Sequence, residues 1–142
     1  MELLKLPLIQ KLAIGYSVMF VLLFGLNYVP MVHDSSGYMF GLFKLDLIDD
    51  MLHLGSAIWA LVAGLTSRRQ AEIYFKVFGP FYFLDGVVGL FLGSGYLDLG
   101  IFIYGPQNLS IMTKIFANLP HLLIGGFAAL FGYVLTNKAS TK

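Results

Sequence analysis

In "DDMLHLGSAIWALVAG", residues 49 to 64, two carboxylates and an imidazole stand at the mouth of an otherwise apolar run. Asp49 and Asp50 lie four and three residues before His53, a spacing at which side chains on a helix meet. A carboxylate beside an imidazole can fix its tautomer or hold a proton, and with further ligands the pair can bind a metal. A second stretch, "NLPHLLIGGFAALFG" at residues 118 to 132, sets Asn118 three residues before His121. Asp85 sits apart in "FLDGVVG". Ser17, Ser56 and Ser94 have no triad context, which argues against hydrolase chemistry. The chain has no cysteine, so a thiolate nucleophile, a disulfide framework and an iron–sulfur cluster are excluded.

These residues allow several chemistries. The spacing predicts a polar clasp between His53 and Asp50 or Asp49, with Asn118 and His121 as its uncharged counterpart and Asp46 as the N-cap of the same helix. Alternatively, His53 and His121 could ligate a haem or chlorophyll-type pigment over small residues. Asp49, Asp50, His53 and His121 could bind a divalent cation, or the histidines could handle protons. Asp85 falls near the middle of an apolar segment, where a charge costs roughly 2.5 to 3.5 kcal/mol. It is therefore expected either to meet Tyr16, Ser17 or Asn27 across a helix bundle or to carry a proton or cation. Gly86, Gly89 and Gly93 beside it read as helix contacts; no P-loop lysine follows them.

The elements that must position these groups are membrane helices. Apolar types make up 58% of the 142 residues and charged types 12%, against roughly 45 to 50% and 25% in soluble domains. A bilayer core of about 30 Å needs about 20 helical residues. Four segments meet that length, at about 13–32, 47–66, 75–94 and 116–135, within a single integral domain covering 1–142. The fourth could begin near Ser110 and kink at Pro120, or begin at an Asn118 cap with Pro120 in its first turn; the second reading is preferred. Residues 1–12, "MELLKLPLIQKL", read as an interfacial lead-in rather than a signal peptide, since no small-residue cleavage site follows.

Basic residues sort by side. Lys5, Lys11, Arg68, Arg69, Lys76, Lys138 and Lys142 fall on one side, and Lys44 and Lys114 on the other. The positive-inside rule places the first group, with both termini, in the cytoplasm. The net charge of +1 hides this segregation and so says nothing about nucleic acid, but the lack of a basic stripe with interleaved aromatics argues against nucleic acid as a partner.

An internal repeat links the two histidine stretches. His53 matches His121 at an offset of 68, and small residues follow each at i+4, i+7 and i+11: Ala57, Ala60 and Gly64, then Gly125, Ala128 and Gly132. Those positions share one helical face and suit close backbone packing in lipid. The expected fold is an all-α membrane protein, a four-transmembrane-helix bundle built from a duplicated two-helix hairpin, with both histidines at one depth.

"GYMFGLFKLDLIDDMLHLGSAIWALVAGL" together with "NLPHLLIGGFAALFGYVL" resembles a bacterial four-helix membrane family known as domain of unknown function four-three-eight-three, over about Gly15 to Leu135. The resemblance implies an integral protein of a bacterial membrane and brings no activity or catalytic residue. Asp49, Asp50 and Asp85 depart from the family pattern. The resulting expectation is a non-enzymatic, multi-pass protein of the bacterial cytoplasmic (inner) membrane, without a cofactor. It would serve as an accessory or interaction subunit alongside protein partners, or as a homo-oligomer. The alternatives are a pigment protein using His53 and His121 and a proton or cation carrier using Asp85.

Overall fold

The structure, a computed structural model, describes residues 3–136 and is helical apart from its loops. Lys138 and Lys142, two of the topology-setting residues, lie outside the described residues. Four helices are long and apolar enough to cross a membrane: α1 (Leu8–Leu26), α2 (Leu47–Thr66), α3 (Arg68–Leu92) and α5 (Ile111–Leu130), the last continuing as a π turn, Phe131–Leu135. A short helix, α4 (Gly100–Tyr104), lies in the loop before α5. The chain is thus a multi-pass membrane protein in which most large apolar side chains outside the core face outward, among them Leu22, Ile58, Phe91 and Phe127.

Each boundary has a local cause. Asp46 caps α2 by accepting from the Ile48 and Asp49 amides, and Asp49 returns a carboxylate oxygen to the Asp46 N–H, completing a reciprocal cap. Ser67 alone separates α2 from α3 and caps the latter through the Gln70 N–H. Gly93 ends α3 in the left-handed conformation, φ 83°, where a side chain would be strained.

Two spans begin earlier than the hydropathy pattern suggests. Helix α1 starts at Leu8, inside the expected interfacial lead-in, and α3 starts at Arg68 rather than near 75. The preferred start of the last span is also corrected. Ser110, not Asn118, caps α5 by accepting from the Thr113 N–H, and Pro120 lies inside the helix. Membrane helices tolerate such prolines where neighbours satisfy the freed groups. Pro80 in α3 shows how. A proline there withholds an N–H from the carbonyl of Lys76, and the Tyr133 hydroxyl donates to that carbonyl at 3.1 Å.

The packing runs in two tight pairs, α1 with α2 and α3 with α5, joined by looser contact of α3 with α1 and α2. The small-residue faces make the close approaches. A Cβ on Gly64 would stand 3.0 Å from the Gln10 carbonyl oxygen of α1, and one on Gly132 would stand 2.7 Å from the Lys76 nitrogen of α3. Ala57, Ala60 and Ala128 are buried in the same interfaces. Between the pairs lies an aromatic ladder one turn apart on α3, with Tyr74, Phe78 and Tyr82 stacked at centroid spacings of 5.0 and 4.8 Å. Phe20 of α1 meets this ladder edge-on at Phe78 and Tyr82.

Candidate functional site

The polar groups of the bundle gather at the end that carries the long loops. After Gly93 reverses the chain, the Tyr96 and Leu97 amides return to Asp85 and donate to its Oδ1 at 2.6 and 2.8 Å. Gly95 permits that wrap, because a Cβ there would lie 2.6 Å from Oδ1. The other oxygen, Oδ2, stands 2.6 Å from Nδ1 of His121 on α5. Gly86 lets α5 come this near, since its Cβ would lie 2.9 Å from that of His121. The Asp85 carboxylate is fully buried and fully hydrogen-bonded, which offsets the cost of placing it there. These partners replace the expected ones. Tyr16 donates instead to the Ile124 carbonyl and Asn27 to Asp50, while Ser17 is buried elsewhere on α1.

The expected clasp is likewise corrected. Asp50 accepts from the Asn27 side-chain amide at 3.0 Å and from the Tyr28 hydroxyl at 2.6 Å, so its oxygens face the end of α1 rather than His53. Asp49 holds the helix cap. His53 is 7% exposed, stacks on Phe20 with centroids 5.9 Å apart, and its Nδ1 has no hydrogen-bond partner. Asn118 donates to the Lys114 carbonyl at 2.8 Å, not to His121, and its side chain fills the space above Gly89. An i−3 or i−4 spacing allows a contact, but Asp50 is taken by donors from the turn after α1 and Asp49 by the amide of its own helix cap.

Two cavities meet at this end. The outer one, about 440 Å³, is bordered by Asp46, Asp49, Asp85, Asp98, His121 and Lys44. The inner one, about 90 Å³, reaches between His53 and His121 and is closed by Met39, Leu52, Tyr82 and Ile124. Asp49, His121, Phe43, Leu45 and Ala117 border both, which makes the inner cavity the deep end of the outer. Nδ1 of His121 is engaged by Asp85, which leaves the other ring nitrogen, Nε2, for a further hydrogen bond. Tyr96, in the wall loop, has its phenol pushed up from the ordinary tyrosine value by burial and, secondarily, by the Asp85 charge.

Between His53 and His121 the inner cavity measures about 90 Å³, and with Nδ1 of His121 held by Asp85 its Nε2 is the nitrogen left for any further partner. Asp49, Asp50, His53 and His121 do not converge as a metal-binding group: among the described residues no three or more such side chains do so. Sequence reasoning missed Tyr28 and the backbone amides of Tyr96 and Leu97. The tyrosine lay beyond the helical spacing considered, and an amide has no side-chain signature. Comparison with protein-family models, curated proteins and solved structures finds no match to this chain.

Proposed function

We propose that this membrane protein is a non-enzymatic accessory or interaction subunit of an assembly in the bacterial cytoplasmic membrane, bound to protein partners or to further copies of itself. One observation carries the reading: both deeply buried carboxylates are committed to fixing the shape of the loop end. Asp50 ties down the end of α1, and Asp85 ties the loop after α3 to His121 on α5. Below them the described core is mostly apolar and aromatic, formed by Phe20, Ala57, Ala60, Tyr74, Phe75 and Phe78, with Gln10, Ser17 and Ser56 also buried. That arrangement favours a rigid presenting surface over a hydrophilic path for a carrier. The positive-inside bias puts the loop end outside the cytoplasm. The family resemblance agrees with a bacterial membrane setting. The duplicated hairpin is supported by the way α2 presses a small-residue face on α1 and α5 presses one on α3.

Cross-linking in native membranes at natural abundance, followed by mass determination in mild detergent, tests this reading. The expected product is a stoichiometric complex with another membrane protein or with a second copy. A chain that stays monomeric in the membrane and moves protons or cations across reconstituted vesicles would overturn it in favour of the carrier reading of Asp85.

A further inference from the structure

The joined cavities contain two features that the rigid loop end does not use. The first is the Nδ1 atom of His53, buried without a partner on the wall of the inner chamber. An unpaired imidazole nitrogen away from water costs free energy that a hydrogen-bonding occupant would recover. The second is a carboxylate oxygen. Asp49 borders both chambers and uses Oδ2 for the helix cap, and its Oδ1 has no hydrogen bond to the described residues. Four carboxylates border the outer cavity against one lysine, Lys44, so the entrance favours cations and disfavours anions. Around the inner chamber, Tyr82 and Phe43 offer aromatic rings, which also attract cations.

We propose that the inner chamber binds a small primary ammonium group, with Asp49 Oδ1 and His53 Nδ1 accepting its N–H donors and any longer remainder of the ligand lying in the outer cavity. The size agrees. A volume of about 90 Å³ is that of about three waters in the liquid, enough for an ammonium with one or two carbons. The donor count agrees as well, because a primary ammonium has three N–H bonds to direct at separate acceptors. Among the described residues no group of three or more His, Asp or Glu side chains converges on one point, so the chamber offers a bare metal ion no multi-ligand site. The ammonium could belong to a free amine or to an ethanolamine lipid headgroup, and the two sources share this chemistry.

The test uses the full chain in phosphatidylcholine nanodiscs, titrated with ethylammonium chloride by calorimetry at about pH 8, where the amine is charged and an ordinary imidazole is neutral. Saturable binding is expected, with tetramethylammonium, which has no N–H donor, binding at least about tenfold more weakly. Asp49→Asn keeps an amide oxygen for the helix cap but removes the charge, and His53→Leu removes the acceptor; each should weaken ethylammonium binding about tenfold or more. If Asp49→Asn fails to insert, His53→Leu decides. Repeating the titration in phosphatidylethanolamine discs separates the sources: a headgroup occupant weakens the apparent affinity for ethylammonium, whereas a free-amine site keeps the same affinity in both lipids. Absence of saturable binding in phosphatidylcholine, equal binding of the two cations, or unchanged binding in the folded variants would overturn the proposal.

Discussion

Asp85 Oδ2 lies 2.6 Å from His121 Nδ1 while its Oδ1 holds two loop amides, so one carboxylate joins α3, the following loop and α5. Asp85→Ala should strip all three donors of their acceptor, and a buried group left unsatisfied costs about 1 to 3 kcal/mol. His121→Gln should cost less, because Asp85 keeps its two amides. A double-mutant cycle is expected to give a coupling of about 0.5 to 2 kcal/mol, within the range for polar contacts between membrane helices. Unfolding in mixed micelles measures it. A coupling indistinguishable from zero would mean that the pair does not hold the helices together.

Pro80 and Tyr133 form a second such link. The hydroxyl of Tyr133 occupies the carbonyl of Lys76 that the proline leaves without its helical donor. Tyr133→Phe should therefore destabilise by about 0.5 to 1.5 kcal/mol. In a Pro80→Ala background the helix N–H returns, and the same change should cost clearly less. Equal losses in both backgrounds, read from the same unfolding titration, would separate the tyrosine from the proline.

The elements were more legible than the contacts. Length and hydropathy are properties of a segment alone, so the four spans could be read from composition, and the reciprocal cap of Asp46 and Asp49 from local spacing. The start of α5 was harder because Ser110 and Asn118 are both good caps and Pro120 fits either choice; only packing against α3 decides between them. The clasp failed for a related reason. His53 and Asp50 are close in sequence, but Asn27 and Tyr28 bring two donors to Asp50 from the turn after α1. The pairing of Asp85 with His121 spans 36 positions and depends on Gly86 admitting α5, a three-dimensional fact that no local pattern carries.

Glycine positions on α5 should differ sharply in tolerance. A Cβ on Gly125 would stand 2.7 Å from the Phe83 Cα, so the backbones themselves would have to separate, whereas Gly126 meets only the Phe83 ring at 3.6 Å. Gly125→Ala is expected to cost about 1 to 3 kcal/mol, the usual range for overpacking. Gly126→Ala should be neutral or slightly stabilising through helix propensity. Thermal unfolding of the two variants in one detergent checks the ordering, and similar melting would count against close α3–α5 contact.

Tyr96 links stability to pH. Its hydroxyl donates to the Phe81 carbonyl at 2.6 Å, and its pKa is raised by burial and by the nearby Asp85 carboxylate. Because the folded state favours the neutral phenol, its contribution is fully present below the unfolded tyrosine value of about 10 and is lost as pH rises through the higher folded value. Ultraviolet difference titration of the protein against Tyr96→Phe should show a tyrosinate component that appears later than that of free tyrosine. A Tyr96 component titrating at or below the free value would show that burial and the Asp85 charge do not govern this phenol.

Charge segregation gives an orientation in the membrane that can be tested. Arg68 and Arg69 open α3 at the Ser67 junction, at the same end as Lys5 and Lys11, whereas the loop holding Asp34 and Ser36 lies at the opposite end. The positive-inside rule counts basic residues near the ends of short loops, which is where these four stand. In intact cells a cysteine at position 36 should react with a membrane-impermeant maleimide, and one at position 69 should react only after permeabilisation. The native chain has no cysteine, so each label reports one site. The reverse pattern would invert the protein and place the cavity between His53 and His121 on the cytoplasmic side, where it would sample cytoplasmic rather than external solutes.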